Sequence, residues 1–564
     1  MALSHAFHTA PRSASVSTRQ AAAASAPQLS RRAFAAAGLG LSAAALLGLV
    51  SQAPAAGIPG LASLGAPSVA YAADGTTFTY AIAGDPSVSP NVITTSDRYG
   101  LMTLELVYSH LLAVEADGSE TFYLAESYEW SDDQLTLTMH LREGVTWNDG
   151  EPFTADDVVF TYEAKKSRED SNGYTNLVFP EGEVEIEKVD DLTVNFIFPF
   201  VNPAGVETVA GEGFIAPKHL YEGVADWENN DINTQGVGTG PYKLEEYQVG
   251  QYLKFVANED YFLGAPNIPN VVFQIITNEN TGMQAIQAGE VNAWIGTPAQ
   301  VEQMNIDGNG LKVTPYSEGR VAYLSINAKR VADERVRKAL LYTFDKKAIS
   351  DAALFSDEYY DLVHTFLPPQ NSFYVGDEVE QYNQDVEKAK SLLAEAGVSN
   401  PTFVLGYSAS DTLQQTCAVM MQEQAAAAGI TLTLQGVDAT ALSNDMKNPD
   451  NAYDMYFGGY IMGIDPSSFS SLFMSDAAWN YNHYDAAEYP EIDELFNEGA
   501  TQTDPDKRHE IYAELQRVMQ DAAFFYPMYS NKRLLVTSGN VGGFDEAKLV
   551  PVYTFEDMSK LTME

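Results

Sequence analysis

A chain of 564 residues with a single cysteine, Cys417, has little choice in how it holds itself together. No intramolecular disulfide and no thiolate metal cluster can form, so a buried apolar core must carry the fold. The length is ample for that, since roughly 100–200 residues per domain allows about three domains. Apolar residues make up 45% of the chain and charged residues 19%, with 27 Phe and 31 Tyr, a composition that excludes a solvated, disordered polypeptide. The charge narrows the partners. Asp and Glu number 77 against 32 Lys and Arg, a net charge of −45. Such a field repels phosphate backbones, and no basic patch interrupts it, so nucleic acid is not an expected ligand.

The acidic residues begin only at Asp74. Before it stand Arg12, Arg19, Arg31 and Arg32, the last two directly ahead of an uncharged Ala/Gly-rich run over 33–50. Paired arginines before a weakly apolar run form a twin-arginine-type export signal over 1–73. Ala70-Tyr71-Ala72 supplies a small-x-small cleavage site, so the mature chain is expected to start at Ala73. The competing reading keeps 33–50 as an uncleaved anchor, because 18 uncharged residues lie at the lower edge of a membrane span. No cysteine lies near the cleavage site, which excludes a lipoprotein.

From residue 76 onward strands and helices alternate. Residues 76–83 and 135–141 alternate with period two, and 184–189 and 192–198 form a strand pair. Thr154 with Asp157 three positions later predicts a capped helix, as do Asp333 before Val336 and Leu340, and Asp504 before Pro505. In the last of these, Ile511, Leu515, Val518 and Met519 are assigned inward, with Lys507, Arg508 and Glu510 outside. Cys417 is expected on a helix face with Val419 and Met420, inert. The glycines of 236–240 (GVGTG) lead through Pro241 into a strand rather than a helix, which rejects a dinucleotide loop in favour of a tight turn. The loop at Asn305, Asp307 and Asn309 lacks the acidic twelfth residue of a calcium loop. The histidines show no metal-ligand spacing, so no metal and no cofactor are expected.

Taken in order, several segments carry a resemblance: 141–160 (LREGVTWNDGEPFTADDVVF), 189–194 (VDDLTV), 215–219 (IAPKH), 237–242 (VGTGPY), 287–293 (QAGEVNA), 333–340 (DERVRKAL), 389–397 (AKSLLAEAG) and Asp465-Pro466. Their order and spacing resemble the bacterial extracellular solute-binding proteins of family 5, the oligopeptide, dipeptide and nickel receptors of ABC importers. The resemblance implies an α/β fold, a two-lobed periplasmic-binding-protein clamp with an additional inserted β-rich domain. It places lobe 1 at 74–108, 236–320 and 530–564, the inserted domain at 109–235 and lobe 2 at 321–529. Crossing strands fall near 317–324 and 526–534. The implied function is that of a receptor, not an enzyme, which closes on a peptide between its lobes and hands it to a membrane permease. It is expected to act as a monomer on the extracytoplasmic face.

Peptide-binding relatives carry a Trp loop before an acidic-Pro pair, with an aspartate for the ligand's amino group. Here the stretch 458–466 (GGYIMGIDP) has Tyr460 for the Trp and no carboxylate before Asp465. Either Asp465 turns inward to take the amine, or the ligand presents none there; equally, Asp465 caps the following turn. The site expected from the resemblance comprises Tyr108, Tyr407, Tyr460, Ile461, Met462, Asp465 and Asn482. The altered loop also fits a receptor for a nickel chelate, an opine-like compound or an oligosaccharide. A secreted hydrolase using paired carboxylates is the reading from another class, without a Gly-x-Ser-x-Gly or His-Glu-x-x-His motif to support it.

Overall fold

The computed structural model describes residues 76–210, 213–461 and 463–564. The export signal, its cleavage site and Met462 lie outside the described residues. The chain opens with β1 (Thr77–Ile82) and α1 (Arg98–Val107), whose first turn is closed by the Asp97 carboxylate accepting the Gly100 N–H. A separate antiparallel sheet follows, built from β2 (Ala125–Trp130), β3 (Thr136–Leu141), β4 (Glu185–Asp190) and β5 (Thr193–Ile197) in the order β2-β3-β5-β4. Helix α2 (Ala155–Lys166) lies against it, started by a reciprocal Thr154/Asp157 capping box. Helix α3 (Gly205–Ala210) ends this region.

The main sheet then takes shape. Strands β6 (Tyr242–Gln248), β7 (Tyr252–Ala257), β8 (Asn270–Ile275), β9 (Ala293–Gly296) and β10 (Leu311–Ser317) precede β11 (Val321–Ile326). Next come α4 (Glu334–Thr343), β12 (Tyr360–Leu362), α5 (Val386–Glu395), β13 (Thr402–Ser408), α6 (Thr412–Ala427), β14 (Thr431–Val437), α7 (Ala439–Met446) and β15 (Met455–Tyr460). Helix α8 (Pro505–Ala522) leads into β16 (Phe525–Ser538). The strand order is β6-β7-β8-β1-β9-β16-β11-β15-β13-β14, with β10 and β12 also paired to β16.

Strand β16 joins two differently built halves. Its end, from Lys532 to Ser538, pairs with β10, and Leu534–Thr537 also pair with β9. Its beginning pairs with β11, and Tyr529–Asn531 pair with β12. Pro527, which has no N–H to give, sits where the β11 register shifts. Each half has its own apolar core: one gathers Phe78, Tyr80, Phe255 and Phe273 with the antiparallel sheet's Met139 and Phe196, the other Leu324, Leu340, Ile349 and Met421. No helix among the described residues is long and apolar enough to cross a membrane.

Two expectations about helix faces change. Cys417 is buried with Ala418 and Met421, while Val419 is 52% exposed, because positions four apart, not two, share a face; burial pushes the thiol up to about 12. Arg508, assigned outside, is buried under the start of α8. The 236–240 glycines do more than turn. Gly236 has φ 68°, and a Cβ on Gly238 would lie 1.7 Å from the Val107 carbonyl oxygen, so this loop presses backbone to backbone on the end of α1. Gly238→Ala is therefore expected to force these backbones apart, lowering the urea unfolding free energy by about 1–3 kcal/mol; an unchanged midpoint would show that the loop is free to retreat.

Candidate functional site

Strands β13, β14 and β15 run parallel, and their carboxyl ends open onto the starts of α6 and α7. Open α/β sheets take ligands outside these strand ends. Here lies a cavity of about 470 Å³, within the ordinary range of small-molecule sites. Its wall is made by Tyr323 of β11, Phe457 to Tyr460 of β15, Leu442 and Met446 of α7, and Leu472, Trp479 and Tyr481 from the segment after β15. Ser408, Gln414, Ser443 and Arg320 supply polar atoms, and no carboxylate lines it. A smaller cavity of about 240 Å³ adjoins it at Arg320, Tyr323, Gln414 and Gly458, reaching Glu318, Asp411 and Asn531.

Two consecutive glycines make room for this wall. A Cβ on Gly458 would lie 2.3 Å from the Tyr323 ring, and one on Gly459 would lie 2.5 Å from the Arg320 guanidinium. Neither glycine has a positive φ, so the need is for space, not for an unusual backbone. Trp479 is 49% exposed with the Lys447 ammonium 4.6 Å from its ring centroid, leaving an aromatic face toward solvent.

The residues expected at the site are only partly brought together. Tyr460 lines the cavity, but its ring is packed against Tyr323, Phe469, Phe473 and Phe525, and its hydroxyl donates to the Phe366 carbonyl. Removing that ring would cost about 3–5 kcal/mol of stability, so Tyr460 serves packing as well as the cavity wall. Tyr407 misses the lining and its neighbour Ser408 has the place, since successive strand residues face opposite ways; the Tyr407 ring covers Gly436 of β14. Asn482 likewise turns inward, donating to Ser325 Oγ at 2.8 Å and the Phe524 carbonyl at 2.7 Å, while Tyr481 faces the cavity. Tyr108 is buried in the first core, its hydroxyl raised to about 12 by burial. Ile461 is 45% exposed and outside the lining. Leu442 and Met446 were missed because nothing local distinguishes them from packing residues.

Asp465 requires the largest correction. Its two oxygens accept from the Arg508 guanidinium at 2.6 and 2.7 Å, both side chains are buried, and Oδ1 also takes the Ser467 N–H. Three hydrogen bonds, two of them from one buried guanidinium, commit this carboxylate to the fold and neutralise its charge, so it is not a free counter-ion for a ligand amine. Beside it, Glu207 of α3 accepts the Ile464 N–H at 2.8 Å, tying the antiparallel region to this loop. Burial, helped by the Asp465 charge, raises the Glu207 carboxyl to about 7.

Two outcomes follow. Asp465→Asn leaves Arg508 buried without its anion, an expected loss of about 3–5 kcal/mol in urea unfolding, with binding retained by the fraction that folds. A stable variant with lost binding would restore Asp465 to the site. For Glu207, the native carboxyl titrates near 7 and the free side chain near 4.5, so the folded state holds the extra proton between these values. Stability from this group therefore falls as pH rises through that window, and Glu207→Gln should flatten the fall. Parallel pH slopes for wild type and variant from 4.5 to 7 would contradict this.

The comparisons with known proteins agree with this geometry. Residues 122–481 match the family described as bacterial extracellular solute-binding proteins, family 5 Middle. The oligopeptide-binding protein AppA of Bacillus subtilis is 27% identical over 495 residues, covering 84% of this chain and 89% of AppA. The dipeptide-binding protein of Escherichia coli is 28% identical, with coverage of 82% and 90%. Among solved structures, the ABC transporter substrate-binding protein CtaP of Listeria monocytogenes superposes with a TM-score of 0.80 at 36% identity, covering 87% of this chain and 99% of CtaP. AppA of Bacillus subtilis in complex with a nonapeptide gives 0.65 at 25% identity, with coverage of 86% and 99%. With its two-lobed α/β architecture, its added antiparallel sheet and a match that spans most of its length, the chain belongs to the family 5 bacterial extracellular solute-binding proteins.

Proposed function

We propose that this protein captures peptides outside the cytoplasm and delivers them to the permease of an ABC importer. The observation that carries the reading is the cavity at the strand ends, roomy, aromatic and furnished with hydroxyl, amide and guanidinium groups rather than a catalytic constellation. Aromatic walls with polar tips accept varied side chains through surface contact, as a receptor of broad peptide specificity requires. Relatives named for oligopeptide and dipeptide binding, and the nonapeptide complex among the similar structures, support the same ligand class. The twin-arginine-type leader supports export in the folded state, with release from the membrane after Ala72, and the protein acts as a monomer without a lipid anchor. It acts by binding, not by catalysis.

The test is native mass spectrometry of the full-length chain purified from cell extract, with fragmentation of whatever is released. A ladder of peptides with unrelated side chains is expected. A single non-peptide mass, or a metal-bearing one, would overturn the peptide reading in favour of a chelate or saccharide receptor. Trp479→Ala is expected to weaken the captured peptides' affinity about tenfold, or about 1.4 kcal/mol, at an unchanged melting temperature, because the ring is half exposed and belongs to no core. Equal affinity would remove Trp479 from the contact surface.

A further inference from the structure

We infer that Arg320 is the charged anchor of this site, and that the ligand is held by a carboxylate rather than by its amino group. The inference rests on the peptide reading and adds to it which end of the ligand is recognised. Arg320 lies between β10 and β11, just past Gly319, whose φ of 67° bends the chain out of one sheet half before it enters the other. The side chain borders both the larger and the smaller cavity. Among the described residues it has no ion pair and no hydrogen bond, in a protein where every neighbouring charge is engaged.

Those neighbours are specific. Glu318, two residues earlier, is held by Arg533 Nε at 2.7 Å and Arg98 at 3.2 Å and accepts from Asn531 as well. Asp411 borders the smaller cavity but spends Oδ1 on the Leu413 and Gln414 N–H groups at the start of α6. Asp465 belongs to Arg508. At the junction Arg98 and Arg533 share the Glu318 carboxylate, and Arg320, two residues further on, is left unpaired inside a chain of net charge −45. An anion repelled by the outer field meets an unpaired guanidinium here, which offers a carboxylate two parallel N–H donors. The absence of any side chain at Gly459 lets the Arg320 guanidinium lie against the β15 backbone at the cavity wall. With no carboxylate in the lining of the larger cavity, an ammonium has no counter-ion there, while a carboxylate has Arg320.

The experiment is calorimetric titration of the full-length chain, freed of bound ligand by denaturation and refolding, with two matched probe pairs. One pair is a random pentapeptide pool with free carboxyl termini and the same pool amidated. The other is 3-phenylpropionate and 3-phenylpropionamide. Wild type is expected to prefer each acid over its amide by tenfold or more, Arg320→Gln to erase the preference, and Arg320→Lys to keep part of it. Gly459→Ala, which displaces the guanidinium without removing it, is expected to reduce the preference too. Equal binding of acid and amide peptides, unchanged in Arg320→Gln, overturns the anchor and leaves the peptide reading standing. Arg320-dependent binding of phenylpropionate with no response to either pool keeps the anchor and overturns the peptide reading. No binding of any probe by refolded wild type overturns both.

Discussion

The hydrogen bonds of β16 are the constraint on which the rest of the molecule depends. Over 14 residues this strand is paired first to β11 and β12 and then to β9 and β10, so both halves of the main sheet share one backbone. A strand buried on both faces reads as a continuous apolar run, and Leu534, Leu535 and Val536 supply it at the far end as Phe525, Tyr526 and Met528 do at the near end. The middle is different. At Ser530 to Arg533 the strand turns polar, and Asn531 and Arg533 reach Glu318 across the crossover. The point where the strand passes from one half to the other is thus also where charge is concentrated, and the cavities lie beside it.

Elements set by local rules were legible in the sequence. Thr154 with Asp157, Asp333 and Asp504 each start the helix assigned to them, and Gly397 at φ 72° ends α5. The alternating segments became β1, β3, β4 and β5. The fold class rested on the ordered series of motifs and is what the superposed structures show. Pairings between distant residues were not legible. Arg508 shares the helix face of Ile511, Leu515 and Met519, but its charge argues for solvent, and only the approach of Asp465, 43 residues earlier, makes its burial tolerable. Tyr407 and Asn482 illustrate a finer limit: the segments were right, but a strand or turn shows one of two neighbours to the cavity, and which one depends on where the neighbouring helices settle.

The loop after β15 shows how one substitution of roles propagates. Once Asp465 is occupied by Arg508, the cavity has no anion, and the bulky hydroxyl-bearing ring of Tyr460 serves the aromatic core behind it. Much of the cavity wall is then left to residues outside the two main cores. Trp479 and Tyr481 project from a segment with no regular structure, Leu442 and Met446 from the start and end of a short helix, and Arg320 from the crossover itself. Leu442, Met446 and Tyr481 pack in a small apolar cluster of their own, while Trp479 is half exposed.

Electrostatics gives the same division of labour a direction. The net charge of −45 opposes the approach of any anion. Screening limits this opposition to about 8–10 Å in ordinary salt, while a guanidinium partly withdrawn from water acts at short range with less attenuation. A ligand that carries both an amino and a carboxylate end is therefore drawn in amine-first by the outer field and retained carboxylate-first by Arg320. Capture and retention are thereby assigned to opposite ends of the same molecule, and the second of them sits at the crossover between the two halves of the main sheet.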